Sequence, residues 1–170
     1  MTQDNLFAGM PMKALSLWQP WASLCAVGVK RHENRSWSTP YRGPIAIHAA
    51  KTIDRVGAPA DLCARAFGAG WWTDLPAGAV VAVADLTAVL PTHMVRAALT
   101  DPDAQSGNFD AGRFAWRLDN VRALITPIPT IGRQGLFNWT PPTDLEANLG
   151  PAIDHFDRVV RLGLTQRGAA

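Results

Sequence analysis

Residues 13–51 switch from strand-like to helix-like spacing and back within one short span, which rules out a long helix, a coiled coil or a repeat. Lys13 to Trp18 alternates and predicts a strand. Pro20 suits a first helical residue, where its missing N–H is not needed. Trp21, Leu24, Cys25 and Val27 then give a short apolar helical face that stops at Gly28. His32 to Trp37 alternates again, Pro40 to Gly43 reads as a turn, and Pro44 to Ala50 predicts a strand. On that strand Ile45 and Ile47 share one face, and Ala46 and His48 the other.

The same reading continues to the C-terminus. Gly57 and Pro59 precede a helix at Asp61–Phe67, and a β-branched run from Ala79 to Leu90 predicts a long strand. Thr92 is expected to cap a short helix through Leu99, and residues 101–112 form a polar, mobile loop. Phe114–Leu118 and Val121–Ile128 read as a hairpin turning over Asp119-Asn120. Ile131 to Trp139 is loop and short strand. Thr143 caps Asp144–Leu149, and Pro151 opens a last helix carrying Ile153, Phe156, Val159 and Val160 on one face. Strands outnumber helices and their connections mix hairpins with short helices, so the fold class is α+β, most simply a partly open barrel with helices at its ends.

Charge adds a functional constraint. From Lys30 to Arg55 there are six Lys/Arg and two acids, a local +4, while all 170 residues sum to only +2. That excludes a generally sticky, histone-like binder and leaves room for one small basic site. Trp18, Trp21 and Trp37 fall in the overlapping stretch 15–51, and flat aromatic faces beside cations suit a base with a phosphate. No apolar run approaches the roughly 20 residues of a membrane span, and the first residues do not read as a secretory signal. Two cysteines and four scattered histidines make no zinc signature, and reduced cysteines fit a cytoplasmic protein.

Several side chains carry alternative readings. Asp85, sharing a predicted face with Val81 and Val83, is either a carboxylate at the rim of an apolar barrel or a solvated strand end. Lys30, just past the helix stop, is a phosphate contact or general acid, or a solvated turn lysine. Glu33 and Arg35 either pair with each other alone or line a pocket with Trp37. His48 is either a structural histidine or a ligand contact, and Lys51 lies just beyond its strand. Trp21, Trp71, Trp72, Trp116 and Trp139 read as core or lid. No P-loop, dinucleotide fingerprint, Ser-His-Asp order or HExxH is present.

Three blocks together carry a family resemblance: Leu15-Ser-Leu-Trp-Gln-Pro-Trp-Ala-Ser-Leu24, Gly28-Val-Lys-Arg-His-Glu-Asn-Arg-Ser-Trp37 and Arg42-Gly-Pro-Ile-Ala-Ile-His-Ala-Ala-Lys51. They resemble the ASCH domain, with weaker continuation to Trp139. The resemblance implies a PUA-like mixed β-barrel flanked by short helices, a fold tied to RNA and modified-base recognition. It divides the chain into a flexible lead-in at 1–11, the ASCH domain at 12–140, and a helical extension at 141–170 packed on the same domain. It also implies a cleft lined by the Gly28–Glu33 segment. Related small amidohydrolases use a Lys, a Thr three residues later and a Glu on a later strand. Lys30 matches the first, but Glu33 stands where the Thr would be and Asp85 where the Glu would be. A threonine nucleophile therefore does not carry over.

The expectation is a cytoplasmic protein, monomeric by preference, that binds RNA or a nucleoside or nucleotide without metal or other cofactor. Arg35, His48 and Lys51, with Lys30, would meet phosphate or ribose; Trp18 or Trp37 would stack a base; Gln19 and Tyr41 complete the binding set. Glu33 and Asp85 would read base amino groups. The alternative is a hydrolase, acting on N-acylated cytidine through Lys30, Glu33 and Asp85, or on RNA with His48 and Lys51 assisting.

Overall fold

The computed structural model describes residues 9–99 and 102–163. Its strands are β1 (Met12–Gln19), β2 (His32–Arg35), β3 (Gly43–Ile53), β4 (Ala79–Pro91), β5 (Phe114–Pro129) and β6 (Leu136–Trp139). Its α-helices are α1 (Trp21–Ala26), α2 (Ala60–Phe67), α3 (Thr92–Val95) and α4 (His155–Arg161). The six strands form one sheet in the order β2-β5-β4-β3-β1-β6. β1 and β3 pair in parallel, and every other pair is antiparallel. A parallel pair needs a crossover, and α1 with β2 supplies it.

Both faces of the sheet are covered. On one, Leu15, Leu17, Ile45, Ile47, Leu86, Trp116 and Leu118 pack with Ala22 and Cys25 of α1. On the other, Met12, Ala14, Ala46, Val83, Phe137 and Trp139 pack with Leu145 and Leu149. A third cluster joins Leu24 of α1 to Leu62, Cys63, Trp71 and Val159. Sandwiched between clusters, α1 is buried from Ala22 to Ala26, as its lack of any charged residue allows.

The sheet has two edges, β2 and β6, with no ladder between them among the described residues, so it is an open, curled sheet. The curl carries Arg35 of β2 back to β1, where its Nη2 donates to the Ser16 carbonyl at 2.7 Å.

Several expectations from local pattern are corrected by tertiary pairing. Phe114–Ile128 is no hairpin: β5 runs straight through Asp119-Asn120 and pairs with β4 from Pro91↔Phe114 to Ala79↔Pro129. Between Val83↔Arg122 and Asp85↔Asp119 the register advances two residues on β4 and three on β5, a bulge. Asn120, at φ 51°, absorbs it. Asn in the left-handed region is also a turn signal, hence the misreading. Thr92 caps nothing with its side chain; its hydroxyl donates to the carbonyl of Asp110. The last helix begins at His155, not at Pro151, with Asp154 accepting from the Asp157 N–H. Residues 1–8 of the expected lead-in, Asp101, and the side chains of Phe156 and Val160 lie outside what is described. The expected mobile loop contains a 3-10 turn, Asp103–Ser106, whose Asp103 and Ser106 are buried.

The C-terminal segment is tied to the sheet. Ile153 N–H donates to the Val121 carbonyl at 2.8 Å, and His155 Nδ1 meets the Gly28 carbonyl at 2.7 Å. Gly28 must be glycine twice over: its φ is +75°, and a Cβ there would lie 2.4 Å from Ile153 Cγ2.

Candidate functional site

Gly28 turns the chain out of α1 and delivers Lys30 into the interior, where it is 2% exposed. It is thus no solvated turn residue. A buried ammonium must be compensated. Its Nζ donates to the carbonyls of His32 at 2.6 Å and Ser106 at 2.5 Å, and lies 3.4 Å from Glu33 Oε2. Glu33 Oε1 is in turn 3.1 Å from Arg35 Nε. The pairing of Glu33 with Arg35 thus exists, but inside a network reaching β1 through Ser16.

Asp103 locks the same corner from the 3-10 turn. Its carboxylate accepts from the Arg31 and His32 N–H groups at 3.0 and 3.1 Å and meets His32 Nδ1 at 2.5 Å. Burial by itself would raise its pKa. The hydrogen bond and charge of His32, the Arg31 N–H and the Lys30 charge outweigh burial and hold it below the ordinary value.

Beside this network lies a pocket of about 320 Å³ walled by Trp21, Lys30, Glu33, Asn34, Ser106 and Arg113, among others. Asn34, Ser106 and Arg113 were missed from the sequence. Asn34 lies between two residues that were singled out, so its neighbourhood was a usable signal. Ser106 and Arg113 are brought in from 76 and 79 positions along the chain and left no local trace.

Ser16, His48 and Lys51 belong elsewhere, in a groove of about 620 Å³ that also takes in Gly132 and Arg133. His48 Nε2 faces the Thr130 carbonyl at 2.9 Å, so that nitrogen carries the proton. Nδ1 of the neutral ring therefore accepts from the Ser16 hydroxyl at 3.0 Å. Burial lowers the His48 pKa, against the raising effect of the Thr130 carbonyl, which favours that neutral form. Lys51 and Arg133 are exposed. Trp18 stands two residues beyond Ser16 on the same face of β1 and is 57% exposed.

The remaining expected residues do not join either cavity. Gln19 is 0% exposed and fully engaged: Nε2 donates to Ser23 Oγ at 2.8 Å and the Pro76 carbonyl at 2.6 Å, and Oε1 accepts from Ser23 N–H at 3.1 Å. Trp37 packs edge-on against Trp116, with centroids 4.6 Å apart. Tyr41 donates its hydroxyl to the Pro44 carbonyl, and burial raises its pKa. Asp85 is separated from Val81 by a bulge, because β4 advances two residues from Ala82 to Val80 while β3 advances one. It sits instead with Val83 on the second face and accepts from Asn120 Nδ2 at 2.8 Å.

Among the described residues, no group of three or more His, Cys, Asp or Glu side chains is placed to hold a metal ion, and no helix is long and apolar enough to cross a membrane.

A mixed α+β fold built on one six-stranded sheet agrees with the class to which the sequence blocks pointed. The profile of the ASCH domain matches residues 15–127, and the chain belongs to this family, part of the PUA-like superfamily. It is similar to Activating signal cointegrator 1 of Homo sapiens and of Mus musculus, 29% identical over 123 residues in each case. The match covers 69% of this chain but only 20% of those relatives, so the chain spans about a fifth of their length. Among solved structures it is similar to ASCH from Zymomonas mobilis, with a TM-score of 0.48 and 15% identity over 91% of this chain and 95% of that one. A mutant of the same protein gives 0.48 and 16% over 81% and 98%.

Proposed function

We propose that the chain binds RNA or a nucleotide across its basic groove and the adjoining Trp18 face of β1. The observation that carries this reading is the exposed Trp18 indole on the β1 face that also presents Ser16 to a groove rimmed by Lys51 and Arg133. A flat exposed ring on the strand that borders a groove with two exposed cations suits a base stacked on the ring with its phosphate in the groove. His48, held neutral with Nε2 occupied by Thr130, would serve as wall rather than as phosphate contact. Arg35 would act by fixing β2 against β1, in effect closing the curled sheet into the partial barrel expected of a PUA-like fold. Cys25 and Cys63 are buried free thiols, which supports a reducing, cytoplasmic setting; a monomer is the simplest state for it.

The hydrolase alternative has weaker support. The Lys30 amine that would hold an oxyanion already donates to two carbonyls, and Glu33 is tied to Lys30 and Arg35. Asp85 lines neither cavity.

Fluorescence anisotropy with a short labelled RNA tests the binding reading. Binding should weaken linearly on a log–log salt plot, and Lys51→Ala should flatten that slope by about 0.7. Salt-insensitive binding, or a Lys51→Ala slope equal to wild type, would sink it.

A further inference from the structure

We infer that Ser16 and His48 are a nucleophile and its base, placed to hydrolyse a carboxylic ester on the ribose of a nucleotide; for the nucleotide half this rests on the groove reading above. The Ser16 hydroxyl lies 3.0 Å from His48 Nδ1, and His48 Nε2 lies 2.9 Å from the Thr130 carbonyl. A hydroxyl, an imidazole that accepts from it and a third group that orients the imidazole are the parts of a hydrolytic serine site. Here a main-chain carbonyl takes the orienting place often held by a carboxylate. No acidic residue therefore marks the site in the sequence.

The surrounding backbone holds the pair in place. Ser16 and His48 are register partners in the parallel β1–β3 ladder, so two strands fix their spacing. Thr130 is pinned in turn: its N–H donates to the Gly78 carbonyl at 2.9 Å, and the Gly78 N–H donates to the Ala49 carbonyl at 2.8 Å. Gly132 closes over the pair. A Cβ there would fall 2.4 Å from His48 Cε1 and 2.8 Å from Ser16 Oγ, so only glycine brings this backbone so near. Among the described residues the Gly132 and Arg133 N–H groups have no acceptor, which leaves them as donors for a developing oxyanion. Burial lowers the His48 pKa, which keeps Nδ1 unprotonated and able to take a proton. Ser16 is half-buried and lines the groove of about 620 Å³, so its hydroxyl is within reach of a ligand.

The substrate class follows from the surroundings. Among the described residues, the side chain bonded to Ser16 Oγ is a neutral imidazole, which suits attack on a neutral carbonyl carbon rather than on an anionic phosphate. Lys51 and Arg133, exposed along the groove, suit a phosphate elsewhere on the same molecule. Trp18 lies two residues along β1 on the same face, about 7 Å away, which lets a base stack there with its ribose over Ser16. In the first step Oγ bonds to the acyl carbon, its proton passes to Nδ1, and the carbonyl π pair moves onto oxygen. The tetrahedral centre then breaks its bond to the ribose oxygen, which leaves with the proton from Nδ1. Water attacks the acyl-serine, gives its proton to His48, and Oγ departs reprotonated. The products are the carboxylic acid and the free ribose hydroxyl.

The test treats the full chain with a fluorophosphonate probe and with p-nitrophenyl acetate, neither of which depends on RNA binding. Peptide mass mapping should find the probe on Ser16. Release of p-nitrophenolate should be measurable but slow, because no carboxylate supports the His48 imidazolium. Ser16→Ala should abolish both signals, and His48→Gln should slow both by about 10²–10⁴-fold. Thermal melts establish that the variants fold; if His48→Gln does not, preferential labelling of Ser16 over the other serines of the wild type decides. Adenosine monophosphate acetylated on its ribose should be hydrolysed about tenfold faster than ribose-acetylated adenosine, the effect of one charge-assisted contact. An unlabelled Ser16, or labelling and turnover unchanged in His48→Gln, overturns the inference. Equal rates on the two ribose esters overturn its nucleotide half. RNA binding that still depends on Lys51 beside an unlabelled Ser16 would leave the groove reading standing. Labelling of Ser16 that depends on His48, without any RNA binding, would support the pair and remove that reading.

Discussion

The groove beside His48 and the pocket beside Asn34 lie either side of one contact, Arg35 to Ser16, yet their polar atoms are arranged in opposite ways. In the groove the buried polar groups are closed on themselves, Ser16 to His48 to Thr130, and the cations stand in water. Beside the pocket Lys30 and Arg35 are paired with Glu33, while the Asn34 carboxamide is buried without a protein partner. The difference teaches that charge and ligand-reading capacity need not coincide. Lys30 looks like the functional cation in the sequence, but its donors are engaged by two carbonyls and Glu33, whereas Lys51 and Arg133 stand exposed along the groove.

That contrast can be broken most forcefully at Lys30. Lys30→Met leaves two buried carbonyls without their donor and the Glu33 carboxylate with Arg35 alone, and should cost about 3–5 kcal/mol in urea denaturation. A loss below about 1 kcal/mol would mean the network is not structural. The groove should behave in the opposite way. Trp18→Ala should leave the melting temperature unchanged and weaken RNA binding by about 1–3 kcal/mol for each base that stacks on it. A drop in stability with no effect on binding would reverse the assignment.

The smallest effect separates the two regions along the pH axis. His48 has its pKa lowered from 6.5, so the unfolded chain binds more protons than the folded one just below that value. Its contribution is complete above 6.5 and is lost as pH falls toward the folded pKa. Asp103, lowered from 3.8, contributes fully above 3.8 and loses its contribution as pH falls through its folded value. Denaturation midpoints measured from pH 8 to pH 3 should therefore show a His48 step first and a later carboxylate step that Asp103 shares with Asp119, likewise lowered from 3.8. His48→Gln should flatten only the first step; a variant that keeps it locates that titration elsewhere.

Much of this architecture is legible from local pattern because local physics decides it. Gly28 ends α1 since its backbone must adopt a positive φ, and the alternation in Lys13–Trp18 and Pro44–Ala50 matches buried strands. Asp119-Asn120 shows where such reading fails. A turn dipeptide became a bulge because β4 offers thirteen consecutive residues to pair with, and long-range ladder pairing overrides one residue's preference. The bulge at Val81 likewise moved Asp85 to the other face, a one-residue slip that no periodicity reveals.

The sequence by itself determined the family, the α+β class, the concentration of cations between Lys30 and Arg55, and the three tryptophans at 18, 21 and 37. Only the tertiary structure decided which of those cations is exposed and which is buried and paired. Burial and pairing depend on what the distant 102–113 segment and the Thr130 loop bring against β2 and β3. Lys30 is occupied because Ser106 reaches it, His48 is fixed because Thr130 faces it, and the Asn34 carboxamide is buried yet unpaired because Gly107 covers it without supplying a partner.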